Sequence, residues 1–204
     1  VSIPYRIYGG LRFYERLEIK NAISYLRIIF NNNDNPSFER SISNPTRGVG
    51  EKTLAKIRNA AKQYNISYIK ASAKLIDEGK ISGRGGSGLK DYLEFIAGCK
   101  GFIEENSLSD LMELIIKETG LYAYHAKEAG EKGKTRTENL EELITATKNF
   151  EQSIKDERTN IEIAESYLDI ISLDSGDRQA SEHDDAAQLM TCLLYTSPSP
   201  RDRS

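Results

Sequence analysis

The sequence predicts a mainly α fold in which a helical body is flanked by two short strands. From Gly10 to about residue 175, apolar residues recur at helical spacing along nearly the whole chain. The alternating run 3–8 (IPYRIY) is typical of a strand, and the run 186–191 (AAQLMT) indicates the start of another. This arrangement predicts a helical insertion in an α/β domain, of which only edge strands are present.

The first predicted elements follow one another closely. The strand 3–8 ends at two consecutive glycines, and a helix with apolar residues at i, i+4, i+7 and i+11 then stops in the Asn- and Pro-rich cluster 31–36. A short helix over about 36–43 ends at Asn44-Pro45. The next helix begins near Glu51.

Glycines separate the central helices. A helix over about 67–78 closes at Gly79, and a longer helical run covers 89–104. Residues 82–88 (SGRGGSG), termed the glycine-rich segment below, lie between them. Because no strand precedes this segment, we interpret it as a flexible hinge or a helix-entry turn, with phosphate binding as the alternative.

Two capping boxes are predicted in the second half. Ser107-x-x-Asp110 precedes a helix that stops at Gly120, and Thr135-x-x-Glu138 repeats the pattern before a further helix. The remaining predicted elements are a last helix over 161–171 and a polar, acidic loop over 174–185.

Charge is distributed unevenly along the chain. Residues 1–90 carry 16 Lys/Arg against 7 Asp/Glu, whereas residues 91–191 carry 10 against 23. A basic half beside an acidic half suggests a polyanionic partner on one side only. Solvated helix faces of unlike sign are the alternative explanation.

Residues 192–204 are expected to lie outside the fold. CLLYTSPSPRD back-translates to a sequence that resembles a transposase-type sequencing adapter, so we expect an artefact, with a natural Pro/Ser tail as the alternative. The rest is then expected to be a fragment of a longer protein. Without this tail only Cys99 remains, which favours a reducing, cytosolic setting, and no apolar run approaches the roughly 20 residues of a membrane helix.

No catalytic or metal site is predicted in this chain. His125 is interpreted as a surface helical position and His183 as part of the acidic loop, and neither has metal-ligand spacing around it. Cys99 is interpreted as a packing residue, and no complete GxxxxGK[ST] nucleotide loop is present.

The strongest candidate site is residues 45–53 (PTRGVGEKT), termed the GVG segment. A G-h-G turn between two helices leaves the N–H groups of the second helix exposed, where the helix dipole favours an anion. Glycine lets a phosphate oxygen approach the backbone, and the turn is expected to need positive φ. Sequence-independent contact with nucleic-acid phosphate is the favoured interpretation. A plain helix–helix turn is the next alternative, and a mononucleotide site is the least favoured. The nearby charges are Arg47, Lys52, Lys56, Arg58 and Lys62 against Glu51.

Four blocks together resemble the UvrD/Rep/PcrA family of DNA helicases in order, content and spacing. They are IPYRIYGGLRFYERLEIKNAISYLR (3–27), FERSISNPTRGVGEKTL (38–54), GEKGKTRTENLEELITATKNF (130–150) and AAQLMT (186–191). The resemblance covers essentially residues 1–191.

The resemblance implies a domain layout. The family has two RecA-like motor domains, each interrupted by an accessory domain. By this resemblance, residues 1–10 are the edge of the second motor domain (2A), 11–185 its helical accessory domain (2B) and 186–191 the strand that re-enters 2A.

It also implies a function. The parent protein is expected to be an ATP-dependent DNA helicase that moves 3′ to 5′, with ATP and Mg²⁺ bound outside this chain, which alone should be inactive. The expected partners are a duplex/single-strand DNA junction and DNA-repair proteins, in the bacterial cytoplasm at the nucleoid. A stand-alone helical module that binds nucleic acid or protein without a motor remains the alternative.

Site residues are implied at matching positions. Gly48, Val49 and Gly50 match the family's G-I-G turn, which touches the duplex backbone ahead of the fork, and Arg47, Lys52 and Thr53 are its expected supports. Asn21 stands where the family usually has Asp, which puts an ion pair there in doubt. Arg12, Arg16 and Lys20 match the family's R-F-x-x-R-x-E-I-K block and are possible motif residues. Arg136 matches its R-x-E-N-L-x-E-L block, which is read as mainly structural.

Overall fold

The computed structural model describes residues 13–155 and 157–174, and in this part the chain forms nine helices and no strand. The prediction of a mainly α fold is confirmed. The predicted strands 3–8 and 186–191, the tail 192–204 and all of the predicted loop 174–185 except Asp174 lie outside the described residues. Asp174 is the last residue of a helix and not part of a loop. The helices are α1 Leu17–Phe30, α2 Asn35–Ser43, α3 Glu51–Tyr64, α4 Tyr68–Asp77, α5 Gly83–Glu105, α6 Leu108–Glu118, α7 Leu121–Ala126, α8 Glu131–Ser153 and α9 Asn160–Asp174.

Helix α1 is the centre of the core. It contacts α2, α5, α6, α7 and α8, and its apolar residues occur on nearly every side of the helix, as expected of a helix surrounded by others. Helices α2, α3 and α4 pack near its contact with α5, while α6 to α9 pack together next to α1 and α5. Its fully buried apolar residues include Ile19, Ala22, Tyr25, Leu26, Ile28 and Ile29.

Three aromatic rings form the core beneath the GVG segment. The Tyr92 ring centroid lies 6.0 Å from that of Tyr25 and 5.6 Å from that of Phe38, nearly edge-on to the latter. The Tyr25 hydroxyl donates to the carbonyl oxygens of Ser41, at 2.6 Å, and Asn44, at 3.0 Å. These bonds fix the end of α2, where the chain turns towards α3.

One of the two predicted capping boxes is confirmed and the other is wrong. Ser107 and Asp110 form the reciprocal bonds of a capping box at the start of α6, and the chain leaves that helix through Gly120 at φ +78°. Thr135 instead lies inside α8, where its Oγ1 donates to the Glu131 carbonyl at 2.9 Å. Helix α8 begins one turn earlier than predicted, after Gly130.

The interpretation of the glycine-rich segment as a flexible hinge is wrong, and that of a helix entry is right. Helix α5 begins at Gly83, inside the segment, and runs unbroken to Glu105. A Cβ on Gly86 would lie 3.0 Å from the Ile81 carbonyl oxygen. The glycines therefore allow backbones to approach closely.

The prediction that His125 lies on the surface is also wrong. Its side chain is 0% exposed, and its Nδ1 lies 3.1 Å from Glu128 Oε1. It belongs to α7, which packs on α6 and α8 and is too short for its apolar spacing to be recognised. Cys99 is buried as predicted, and burial raises the pKa of its thiol to about 12.

Candidate nucleic-acid interface

The GVG segment connects α2 to α3 through a sharp change of direction. The Asn44-Pro45 peptide bond is cis, and Gly48 has φ +75°, a left-handed conformation that favours glycine. Gly50 has extended backbone angles and is the N-cap of α3. The expected positive φ is therefore confirmed at Gly48 but not at Gly50.

The segment presents backbone and one cation to solvent. Gly48, Gly50 and Lys52 are exposed and Thr53 is half-buried, whereas the Val49 side chain is buried in the core. Gly50 offers no side-chain acceptor to the amides of the first turn of α3. Val49 therefore anchors the turn, and the glycines on either side of it face outwards.

Arg47, one of the expected supports of the turn, points inwards. Its Nη1 donates to the carbonyl oxygens of Ser41 and Pro45, at 3.2 and 3.0 Å, and its Nη2 donates to that of Thr119 at 3.2 Å. The guanidinium also lies 5.4 Å from the Tyr25 ring centroid and 5.6 Å from that of Tyr92. We therefore interpret Arg47 as the residue that positions the turn.

The start of α5 packs directly against the GVG segment. A Cβ on Gly88 would lie 2.1 Å from the Arg47 carbonyl oxygen, and one on Gly85 would lie 2.8 Å from that of Gly48. Both distances are shorter than any real contact, so this interface is backbone against backbone. The GVG segment and the glycine-rich segment are each recognisable in the sequence, but nothing in the sequence indicates that they meet.

This packing brings Arg84 beside the turn. Its Cγ would lie 3.1 Å from a Cβ on Gly48, and the side chain is exposed. Arg84 was not predicted as a site residue. The only signal in the sequence was its place within SGRGGSG.

The charge around the segment is reduced by ion pairs. Arg58, which lies one to two turns along α3, binds Glu39 at 2.6 Å and Glu51 at 2.5 Å. These carboxylates raise the pKa of Arg58, and the contact draws the Glu51 charge away from the turn. Lys56 donates to the Lys80 carbonyl oxygen at 3.1 Å.

Two of the other predicted motif residues, Arg16 and Arg136, belong to a second, separate group around Glu18 of α1. Glu18 Oε1 accepts from Asn139 Nδ2 at 2.5 Å, and its Oε2 lies 3.6 Å from Arg136 Nε. Arg136 also pairs with Glu128, and Arg16 donates to Asn139 Oδ1. The hydrogen bond from His125 and the charge of Arg136 lower the pKa of Glu128. This polar cluster joins α1 to α8, so it stabilises the fold away from the GVG segment.

Three further positions complete the set. Lys20 lines a groove of about 740 Å³ between α1 and α2, and Arg12 lies outside the described residues. Asn21 is fully buried, and its Oδ1 lies 3.4 Å from Arg40 Nη1, so a weak hydrogen bond stands where an aspartate would form an ion pair. The described residues contain no group of three or more side chains that could hold a metal ion, and none of their helices is long and apolar enough to cross a membrane.

Comparisons of the sequence with known proteins relate this chain to a family. The model of the UvrD-like helicase C-terminal domain matches residues 1–81, which include the GVG segment. The chain is 42% identical over 190 residues to DNA helicase II of Escherichia coli (strain K12) and 32% identical over 192 residues to the ATP-dependent DNA helicase PcrA of Bacillus subtilis (strain 168). Each match covers 93% of this chain and 26% of the relative, so the chain spans about a quarter of their length. The resemblance seen in the motifs is thus confirmed: residues 1–81 match the UvrD-like helicase C-terminal domain, and most of the chain is similar in sequence to DNA helicase II.

Proposed function

We propose that this chain is the helical accessory domain (2B) of an ATP-dependent 3′–5′ DNA helicase, and that the GVG segment contacts the phosphate backbone of the duplex ahead of the fork. Residues 1–10 and 186–191 would connect it to the motor domain 2A, with 11–185 as the accessory domain. ATP and Mg²⁺ would act in parts of the parent protein outside this chain.

Gly50 is the observation that carries this proposal. Its φ of −97° is one that any residue adopts, and a Cβ built on it would have nothing within 4 Å. The packing of the protein therefore gives no reason for a glycine here. A ligand that approaches the amides at the start of α3 does give one, because a Cβ would hold a phosphate oxygen away from them.

The neighbouring charges support an extended polyanion over a small nucleotide. Lys52 is exposed in the first turn of α3, while Glu51 is paired with Arg58. A helix N-terminus with a flanking cation suffices for contact with a phosphate backbone, and such contacts carry no sequence information. The relatives' names, DNA helicase II and ATP-dependent DNA helicase, support DNA as that polyanion.

The test separates binding from folding. Lys52→Gln is expected to leave the urea midpoint unchanged, and Gly50→Ala to lower it slightly because alanine is a poorer N-cap than glycine. Both variants are expected to weaken binding of a labelled duplex of about 20 bp. Lys52→Gln should also reduce the salt slope, d log K/d log[salt], by about 0.9. The control is Lys62→Gln, which removes the same charge about 15 Å further along α3, beyond a Debye length of about 10 Å at 0.1 M salt. If both variants bind the duplex as the control does, the proposal is refuted.

The motor half of the proposal has a different test. The gene that encodes this chain should also encode a GxxxxGK[ST] loop upstream of Val1, in the same reading frame. A gene without that loop would favour the alternative, a stand-alone helical module that binds nucleic acid or protein.

A further inference from the structure

The start of α5 adds a second cation to the GVG segment. Arg84 is 36 residues after Gly48 in the chain, yet its backbone carbonyl would lie 3.4 Å from a Cβ on Gly48. Gly85 and Gly88 make this approach possible because each carries no side chain where α5 meets the carbonyl oxygens of Gly48 and Arg47. The position of Arg84 is therefore set by backbone contacts.

Neighbouring cations are occupied by protein groups. Arg47 binds three carbonyl oxygens and Arg58 binds two carboxylates. Lys56 donates to the Lys80 carbonyl oxygen at 3.1 Å. These three cations are thus committed to contacts within the fold.

Arg84 and Lys52 differ from these cations. Both are exposed, and within residues 13–155 and 157–174 neither forms an ion pair with a carboxylate. An arginine fork can bind two oxygens of one phosphate, and its charge survives at any working pH. These properties suit Arg84 to a phosphate that lies beside the one at the start of α3.

We propose that Arg84 is a second contact with the DNA backbone, so that the duplex grip consists of the GVG segment and the first turn of α5 together. This inference rests on the proposed function, since it assigns a further residue to the same interface. In this proposal the first turn of α3 binds one phosphate and Arg84, in the first turn of α5, binds another.

The experiment compares five variants of the 204-residue chain: Arg84→Gln, Arg84→Lys, Lys52→Gln, Lys62→Gln and Lys100→Gln. Glutamine at position 84 keeps the Cγ methylene that lies against Gly48 and removes the charge. Lys100 is the matched control, exposed and about 24 Å further along α5. Affinity for a labelled duplex of about 20 bp is measured by fluorescence anisotropy between about 50 and about 200 mM NaCl.

We expect Arg84→Gln to weaken binding roughly fivefold and to reduce the salt slope by about 0.9, with Lys100→Gln unchanged. Arg84→Lys, which keeps charge and loses the fork, should retain the slope and bind with intermediate affinity. If Arg84→Gln matches Lys100→Gln while Lys52→Gln is weakened, the role of Arg84 is refuted and the proposed function stands. If Arg84→Gln and Lys52→Gln both match their controls, the proposed function falls and this inference with it.

Discussion

Replacing Gly88 with alanine tests the contact that builds the interface. The new Cβ would lie 2.1 Å from the Arg47 carbonyl oxygen and 3.1 Å from the Arg47 carbonyl carbon. Since ordinary contacts of a Cβ begin near 3.4 Å, α5 would have to move away from the GVG segment by about an ångström. Overpacking of this kind typically costs about 1–3 kcal/mol, while alanine within a helix returns up to about 1 kcal/mol relative to glycine. We therefore expect a net destabilisation of up to about 2 kcal/mol.

The same helix offers the control. A Cβ on Gly98 or Gly101 has nothing within 4 Å, so alanine there meets no obstacle and should stabilise the protein by about 0.5–1 kcal/mol. Urea denaturation followed by circular dichroism measures all three free energies of unfolding. If Gly88→Ala is as stable as Gly98→Ala, the close approach of α5 to the GVG segment does not exist, and the explanation of SGRGGSG is wrong.

Three further predictions follow from the core. Arg47→Gln removes the guanidinium donor from the carbonyl oxygens of Pro45 and Thr119, while the Ser41 carbonyl keeps the Tyr25 hydroxyl, and should destabilise the protein by about 2–4 kcal/mol in urea. Exposed Lys52→Gln should change stability by less than about 0.5 kcal/mol. Burial raises the pKa of Tyr25 to about 12 and also raises the pKa of Tyr92, whereas a tyrosine in the unfolded chain has a pKa of about 10. The stability that these neutral tyrosines contribute is therefore fully present below pH 10 and should fall as the pH rises from 10 through 12. An unchanged free energy of unfolding over that interval would contradict their burial. In a Cys192→Ser background, Cys99 should react with a thiol reagent at about pH 8 only after denaturation, and rapid reaction of the folded protein would show that the thiol is accessible.

Local features were predictable from the sequence because they depend on neighbouring residues. The helices, the capping box at Ser107 and the stop at Gly120 follow from spacing and from the conformational preferences of single residues. The GVG segment was recognised for the same reason, since its two glycines, its cation and the helix behind it lie within nine residues of each other.

Features that join distant parts of the chain could not be predicted in this way. A cation near a turn is usually exposed. Only the fold shows that Arg47 donates a hydrogen bond to the Thr119 carbonyl oxygen and lies over the rings of Tyr25 and Tyr92. His125 of α7 is buried against α8, whose Arg136 lies 3.4 Å from the His125 Nδ1 and pairs with Glu128. The meeting of SGRGGSG with PTRGVGEKT is likewise a contact between segments almost forty residues apart.

The contact between α5 and the GVG segment has a mechanical consequence. Side chains at an interface can change rotamer and absorb small movements, but at Gly85 and Gly88 backbone meets backbone and no such adjustment is possible. Helix α5 has 23 residues and is therefore about 34 Å long, and α6 and α9 also contact it. We therefore expect a displacement of α5 by α6 or α9 to move the turn at Gly48 by a similar amount.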